Sequence, residues 1–173
     1  MKLTSKDLAD KYGMMDRGEV ELLKKCAEQL REDPIVVNIG AGFGTSSAAI
    51  LEARPNALIF SIDKDPQPQE RENLVKCGLD FTRCIRILGL SWEVGIHFPF
   101  GVDLIFVDGS HEKSSIHKDV ITWLPKVSSD GIILFHDYNH PRAPGVTKIV
   151  DRVMADYKVI GAERFLIAYD NWR

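Results

Sequence analysis

The chain has 173 residues, 45% of them hydrophobic and 27% charged, with a formal net charge of −3. That size fits one domain, residues 1–173, with an ordinary buried core. The mild acidity argues against a nucleic-acid partner, which calls for a basic footprint, and no apolar run reaches membrane-spanning length. The opening residues, Met1-Lys2-Leu3-Thr4-Ser5-Lys6-Asp7, lack the apolar centre of a signal peptide. Cys26, Cys77 and Cys84 are odd in number and show no C-x-x-C spacing. They are expected as reduced thiols packed like small apolar side chains, in a cytoplasmic protein.

In chain order, Val20, Leu22, Leu23, Ala27 and Leu30 have helical spacing. Asp33-Pro34 ends that helix, and residues 1–33 are expected as an N-terminal helical segment that lids an acceptor site. The apolar run from Ile35 to Ile39 is a first strand, followed by a helix over Thr45 to Ala53. Ala57 to Ile62 is a second strand closed by Asp63, and a helix over Gln69 to Lys76 stops at Gly78. Cys84 to Leu88 is a third strand, Ser91 to Gly95 a short helix, and Val102 to Asp108 a fourth strand. A helix over Ser114 to Val127, interrupted near Pro125, leads to a fifth strand over Gly131 to Asp137. A helix over Val146 to Ala155 precedes two closing strands, Tyr157 to Ile160 and Arg164 to Ala168, joined as a hairpin. Wholly apolar strands alternating with helices give a Rossmann-like, doubly wound α/β fold. Its sheet is mostly parallel and seven-stranded, with a C-terminal antiparallel hairpin.

The junction after the first strand is the most specific local signal. Gly40, Gly42 and Gly44 form G-x-G-x-G, and Thr45, Ser46 and Ser47 open the next helix. Such a turn lets the backbone approach a ligand closely and presents unpaired N–H groups to it. A dinucleotide fingerprint would place its third glycine at position 45, which is Thr45, and no Lys follows for a P-loop. The motif resembles motif I of the class I S-adenosylmethionine (SAM) methyltransferases, and the order of elements from Val20 onward is similar to their fold. Asp63, at the end of the second strand, can accept hydrogen bonds from both ribose hydroxyls; the family carries an acidic residue there. The resemblance places adenine contacts at Gly89-Leu90-Ser91-Trp92. The expected cofactor-binding set is Asn38, Gly40, Ala41, Gly42, Gly44, Thr45, Ser46, Asp63, Lys64, Ser91, Trp92 and Asp108.

Two further segments, Val107-Asp108-Gly109-Ser110-His111 and Phe135-His136-Asp137-Tyr138, each follow a buried strand. Neighbouring strands would bring Asp108, His136 and Asp137 together beside the glycine turn, and a divalent cation would offset the cost of crowding them. The pair of motifs resembles the metal-dependent O-methyltransferases of sugars and macrolides and the cephalosporin-hydroxylase-like group. Asp119, Trp123-Leu124-Pro125 and Asp130-Gly131-Ile132-Ile133 fit that group's pattern. The resemblance implies Asp108, His136 and Asp137 as ligands of Mg²⁺ or Mn²⁺, His111 as general base, and catalytic work by His111 and Asp108.

The implied activity is SAM-dependent, metal-assisted O-methyl transfer to a small hydroxylated acceptor such as a sugar, glycoside or phenol. Tyr12, Met14, Met15, Tyr138, His140 and Arg142 are expected to line its site. Asn38 stands where the family has Asp or Glu, and this departure favours a second reading, a non-catalytic SAM-binding regulatory or assembly protein. A nicotinamide oxidoreductase is a third reading, opposed by Thr45. Neither nucleic acid nor membrane is an expected partner, and self-association into a homo-oligomer is left open.

Overall fold

The computed structural model describes residues 2–65 and 67–171. β1 (Ile35–Ile39), β2 (Leu58–Asp63), β3 (Cys84–Leu88), β4 (Val102–Val107), β5 (Val127–Phe135), β6 (Lys158–Glu163) and β7 (Leu166–Asp170) form one sheet. Its order is β3-β2-β1-β4-β5-β7-β6. The first five strands are parallel, and β7 runs antiparallel to both β5 and β6. The helices are α1 (Ser5–Tyr12), α2 (Arg17–Glu28), α3 (Thr45–Ala53), α4 (Pro68–Lys76), α5 (Ser91–His97), α6 (Lys113–Trp123) and α7 (Pro144–Val153).

Strand periodicity explains the two cores. Leu104 and Phe106 of β4 pack on one face with Leu8, Leu23, Ile50 and Leu74 from α1 to α4. Ile105 and Val107 pack on the other with Phe98, Ile116, Trp123 and Ile149. With both faces covered, a central strand has no polar side to show. The order reverses at β1, between β2 and β4, and a crevice opens beyond their carboxyl ends. No helix among the described residues is long and apolar enough to cross a membrane.

Most elements fall where the sequence places them, and the departures have local causes. β5 starts at Val127, ahead of the expected Gly131. Its polar start, Ser128-Ser129-Asp130, bulges out of register between the pairs Val102/Val127 and Leu104/Ile132. The Asn171 amide pins that bulge by donating to the carbonyls of Val127 and Ser128, at 2.9 and 2.8 Å. β5 also stops two residues early, because Asp137 adopts φ +58°. α1 is a separate helix closed by a Thr4/Asp7 capping box and by Gly13 at φ +66°. α2 begins with a second box, Asp16/Glu19. All three cysteines are free thiols, Cys26 and Cys77 buried and Cys84 half-buried.

Candidate active site

The glycine turn is fixed by backbone geometry. Gly40 has φ +91°, and a Cβ there would lie 2.0 Å from the Asp108 carbonyl oxygen. Only glycine lets β1 and β4 end so close together. Backbone bonds continue the ladder past the strand ends: Gly40 donates to Ile62, Asp108 to Ile39 and His136 to Val107. Asp63 closes the far side, its Oδ2 accepting from the N–H groups of Ala41 (3.1 Å) and Gly42 (3.4 Å).

Two adjoining cavities share this floor. The larger, about 680 Å³, runs from Asp63 and the glycine turn across Asp108 and Asp137 to the loops beyond. The smaller, about 420 Å³, is bounded by Lys64, Ser91, Trp92 and Asp119. Gly40, Asp63, Asp108 and Gly109 line both. Asp119 is buried, accepts the Ser91 hydroxyl proton, and burial pushes its carboxyl up to about 6.

At the floor of the larger cavity, ligand atoms of Asp108, His111 and Asp137 lie within 4.8 Å of one another. His111 Nε2 is 2.6 Å from Asp137 Oδ2. His136 sits behind them, buried, with Nδ1 3.1 Å from Asp108 Oδ1 and 3.5 Å from Asp137 Oδ2. Its Nε2 faces Glu19 Oε1 at 3.5 Å. Burial opposes charge on this imidazole, but the Asp108 carboxylate, with help from Asp137 and Glu19, pushes its pKa up to about 12. Burial also opposes charge on Asp137, yet the His136 bond and the nearby histidines hold it below the usual carboxylate range. Burial drives the Asp108 carboxyl upward, against the pull of His136.

The structure thus gathers both carboxylates of the two motifs with two imidazoles, the expected His136 from behind and His111 from the cavity side. Gly40, Ala41, Gly42, Thr45 and Ser46 line the larger cavity, as do Met14, Met15, His140 and Arg142. Gly44 lines neither cavity; its φ of +82° turns the chain into α3 above Glu70. Asn38 is wholly buried, donating to Ser46 and Ser47 at 3.1 and 3.0 Å, and also lines neither cavity. Tyr12 instead braces the turn from behind, its ring stacked on Phe43 at 4.1 Å. Tyr138 turns away to donate to Asp151 at 2.8 Å. Glu19, Gln67, Arg164 and Phe165 line the larger cavity without having been expected there. Only Glu19 left a sequence signal, as the fourth residue of a D-x-x-E capping box.

Known proteins share this fold. A family model described as a methyltransferase domain matches residues 37–138. An uncharacterized protein of Acanthamoeba polyphaga mimivirus is 26% identical over 78% of this chain and 66% of its own length. The chain therefore spans just under two thirds of that relative. The structure of the O-methyltransferase NovP superposes with a TM-score of 0.76 at 17% identity, covering 92% of this chain and 82% of the other. The O-methyltransferase TomG from Streptomyces achromogenes, solved with SAM, gives 0.74 at 15% identity over 96% and 87%. These likenesses show the class I methyltransferase fold. The family match takes in more than half of the chain, from the middle of β1 through the HDY segment, and this chain belongs to that methyltransferase family.

Proposed function

We propose that the chain is a SAM-dependent O-methyltransferase acting on a hydroxyl of a small molecule with the help of a divalent cation. The observation that carries the reading is the convergence of Asp108, His111 and Asp137 beside the glycine turn. Two carboxylate oxygens and one imidazole nitrogen suit Mg²⁺ or, with the histidine, Mn²⁺. Those three residues would hold the ion, which when bound lowers the pKa of a hydroxyl at the site. Bound SAM supplies a methyl group already activated by its sulfonium. Asp63 and the N–H groups of the glycine turn would hold its ribose end, and the smaller cavity by Ser91 and Trp92 would take the adenine.

The chain's own part is positioning. Protonated His136 offsets the charge of Asp108, Asp137 and Glu19 and keeps the two motif carboxylates side by side.

The 2.6 Å contact between His111 and Asp137 favours a second reading. In it Asp137 orients the ring, and His111 Nδ1 takes the acceptor's proton with no cation. One ring cannot bind an ion at Nε2 while Nε2 donates to Asp137, so the two readings exclude each other.

The test is mass spectrometry of pooled hydroxylated compounds incubated with SAM, with chelator and after Mn²⁺ is restored. Product that needs the cation supports the first reading. Product indifferent to chelator but lost in His111→Ala supports the second. SAM binding without methylation of any hydroxyl overturns both and leaves a cofactor-binding protein.

A further inference from the structure

The larger cavity has two unlike ends. Its floor carries three carboxylates, Glu19, Asp108 and Asp137, set around the imidazoles of His111 and His136. Arg142, from the segment between β5 and α7, and Arg164, from the turn between β6 and β7, stand at its mouth. Both lie beyond residues 37–138, the stretch that the family match covers.

Both arginines keep exposed side chains. Arg142 is exposed, and among the described residues its guanidinium has no ion-pair partner within 4 Å. Its backbone N–H is held instead by His140 Nδ1 at 3.2 Å. The His140 ring packs edge-on against Phe165 at 4.5 Å, so the two arginine-bearing loops brace each other. Arg164 lies over the Phe165 ring at 4.9 Å and reaches Asp16 with one nitrogen at 3.3 Å, its side chain 54% exposed.

The backbone at Arg164 is the telling feature. Arg164 and Phe165 form a two-residue turn closing the pair Glu163/Leu166. Arg164 has φ +47°, and Phe165 is not among the residues with positive φ. A tight hairpin of this kind favours glycine at its first central position. Keeping an arginine there costs backbone strain, which points to a use for the guanidinium.

We propose that the acceptor carries an oxyanion, a carboxylate or a phosphate, gripped by Arg142 and Arg164 while its hydroxyl enters that floor. This deepens the O-methyltransferase reading and rests on it. A guanidinium fork matches both oxyanions in shape and charge.

The experiment titrates the whole chain, loaded with S-adenosylhomocysteine, with matched probes by calorimetry. One pair is catechol and protocatechuate, and the other glycerol and glycerol phosphate. The anionic member of at least one pair should bind about tenfold or more tighter, with the advantage shrinking at high salt. Which pair shows it separates carboxylate from phosphate. Arg142→Met and Arg164→Gly should each remove most of that advantage and leave SAM affinity unchanged. Arg164→Gly should also raise the melting temperature, since glycine takes φ +47° freely, so its lost affinity is not lost folding. Equal binding within both pairs, no binding by either anionic probe, or an advantage that survives in the double variant overturns the proposal. Methyl transfer is read separately. A charge-dependent oxyanion site with no methylated product from any probe removes the methyltransferase reading alone. Methylation of a neutral probe that binds as well as its anionic partner removes the oxyanion alone.

Discussion

Asp119 gives the sharpest quantitative test. Its carboxyl is buried beneath the smaller cavity, and burial raises its pKa from 3.8 to about 6 while the Ser91 hydroxyl pulls the other way. The folded chain therefore holds a proton there that the unfolded chain has already released. Stability from this group is full below pH 3.8 and is lost as pH rises toward 6. At about 1.4 kcal/mol per pH unit, the ionised carboxylate costs the folded state about 3 kcal/mol at pH 7. Asn has nearly the shape of the protonated acid and carries no charge. Asp119→Asn should be close to neutral near pH 4 and stabilising by about 2 to 3 kcal/mol at pH 7. Urea denaturation of both proteins at the two pH values measures this, and comparing variant with parent cancels the other carboxylates. A stability difference that does not change with pH would refute the reasoning, because the proton would then not be retained on folding.

Other outcomes follow from the same geometry. Gly40→Ala sets a Cβ 2.0 Å from the Asp108 carbonyl oxygen at φ +91° and should cost about 3 kcal/mol or more. Gly42→Ala meets no atom within 4 Å at φ +47° and should cost only about 1 kcal/mol; equal losses in denaturant would contradict the difference. Asp137→Asn keeps a residue type that tolerates φ +58° but removes the charge. If the proposed reading holds, it should abolish stimulation by Mn²⁺ with SAM affinity within about twofold, since that reading gives the carboxylate to the ion rather than the cofactor; undiminished stimulation would take Asp137 out of the proposed site. Tyr12→Leu removes the stack on Phe43 and the Asn73 bond. It should cost about 1 kcal/mol and weaken SAM binding severalfold; unchanged SAM titrations would show that α1 does not brace the glycine turn.

The layered fold was legible because apolar runs such as Ile35–Ile39 and Val102–Val107 are buried on both faces, a pattern that exposed helices and loops do not share. The glycine turn was equally plain, since Gly40 answers to a steric demand that no other residue meets. The polar start of β5 was hidden because a bulge lets Ser128, Ser129 and Asp130 face outward within a strand. The relative placement of His111 and His136 was hidden for a different reason. It depends on the turn made at Asp137, a backbone angle that residue identities leave open. Asn38 could be located on β1, but its direction was set by serines of α3 that compete for its amide. Glu19 and Arg164 come from opposite ends of the chain, and no local spacing reveals that they meet one cleft.

Glu19 joins those ends in a single carboxylate. Oε2 accepts from Asp16 at 2.7 Å, and Oε1 accepts from the Phe165 N–H at 3.0 Å while facing His136. During synthesis α2 emerges early, but the group that completes it arrives only when the last hairpin leaves the ribosome. The same hairpin brings β7, whose Leu166, Ile167, Ala168 and Tyr169 enter both cores beside β5. Shape and competence are therefore completed together, and a chain cut short before Phe165 would lack both an inner strand of the sheet and Glu19's last partner.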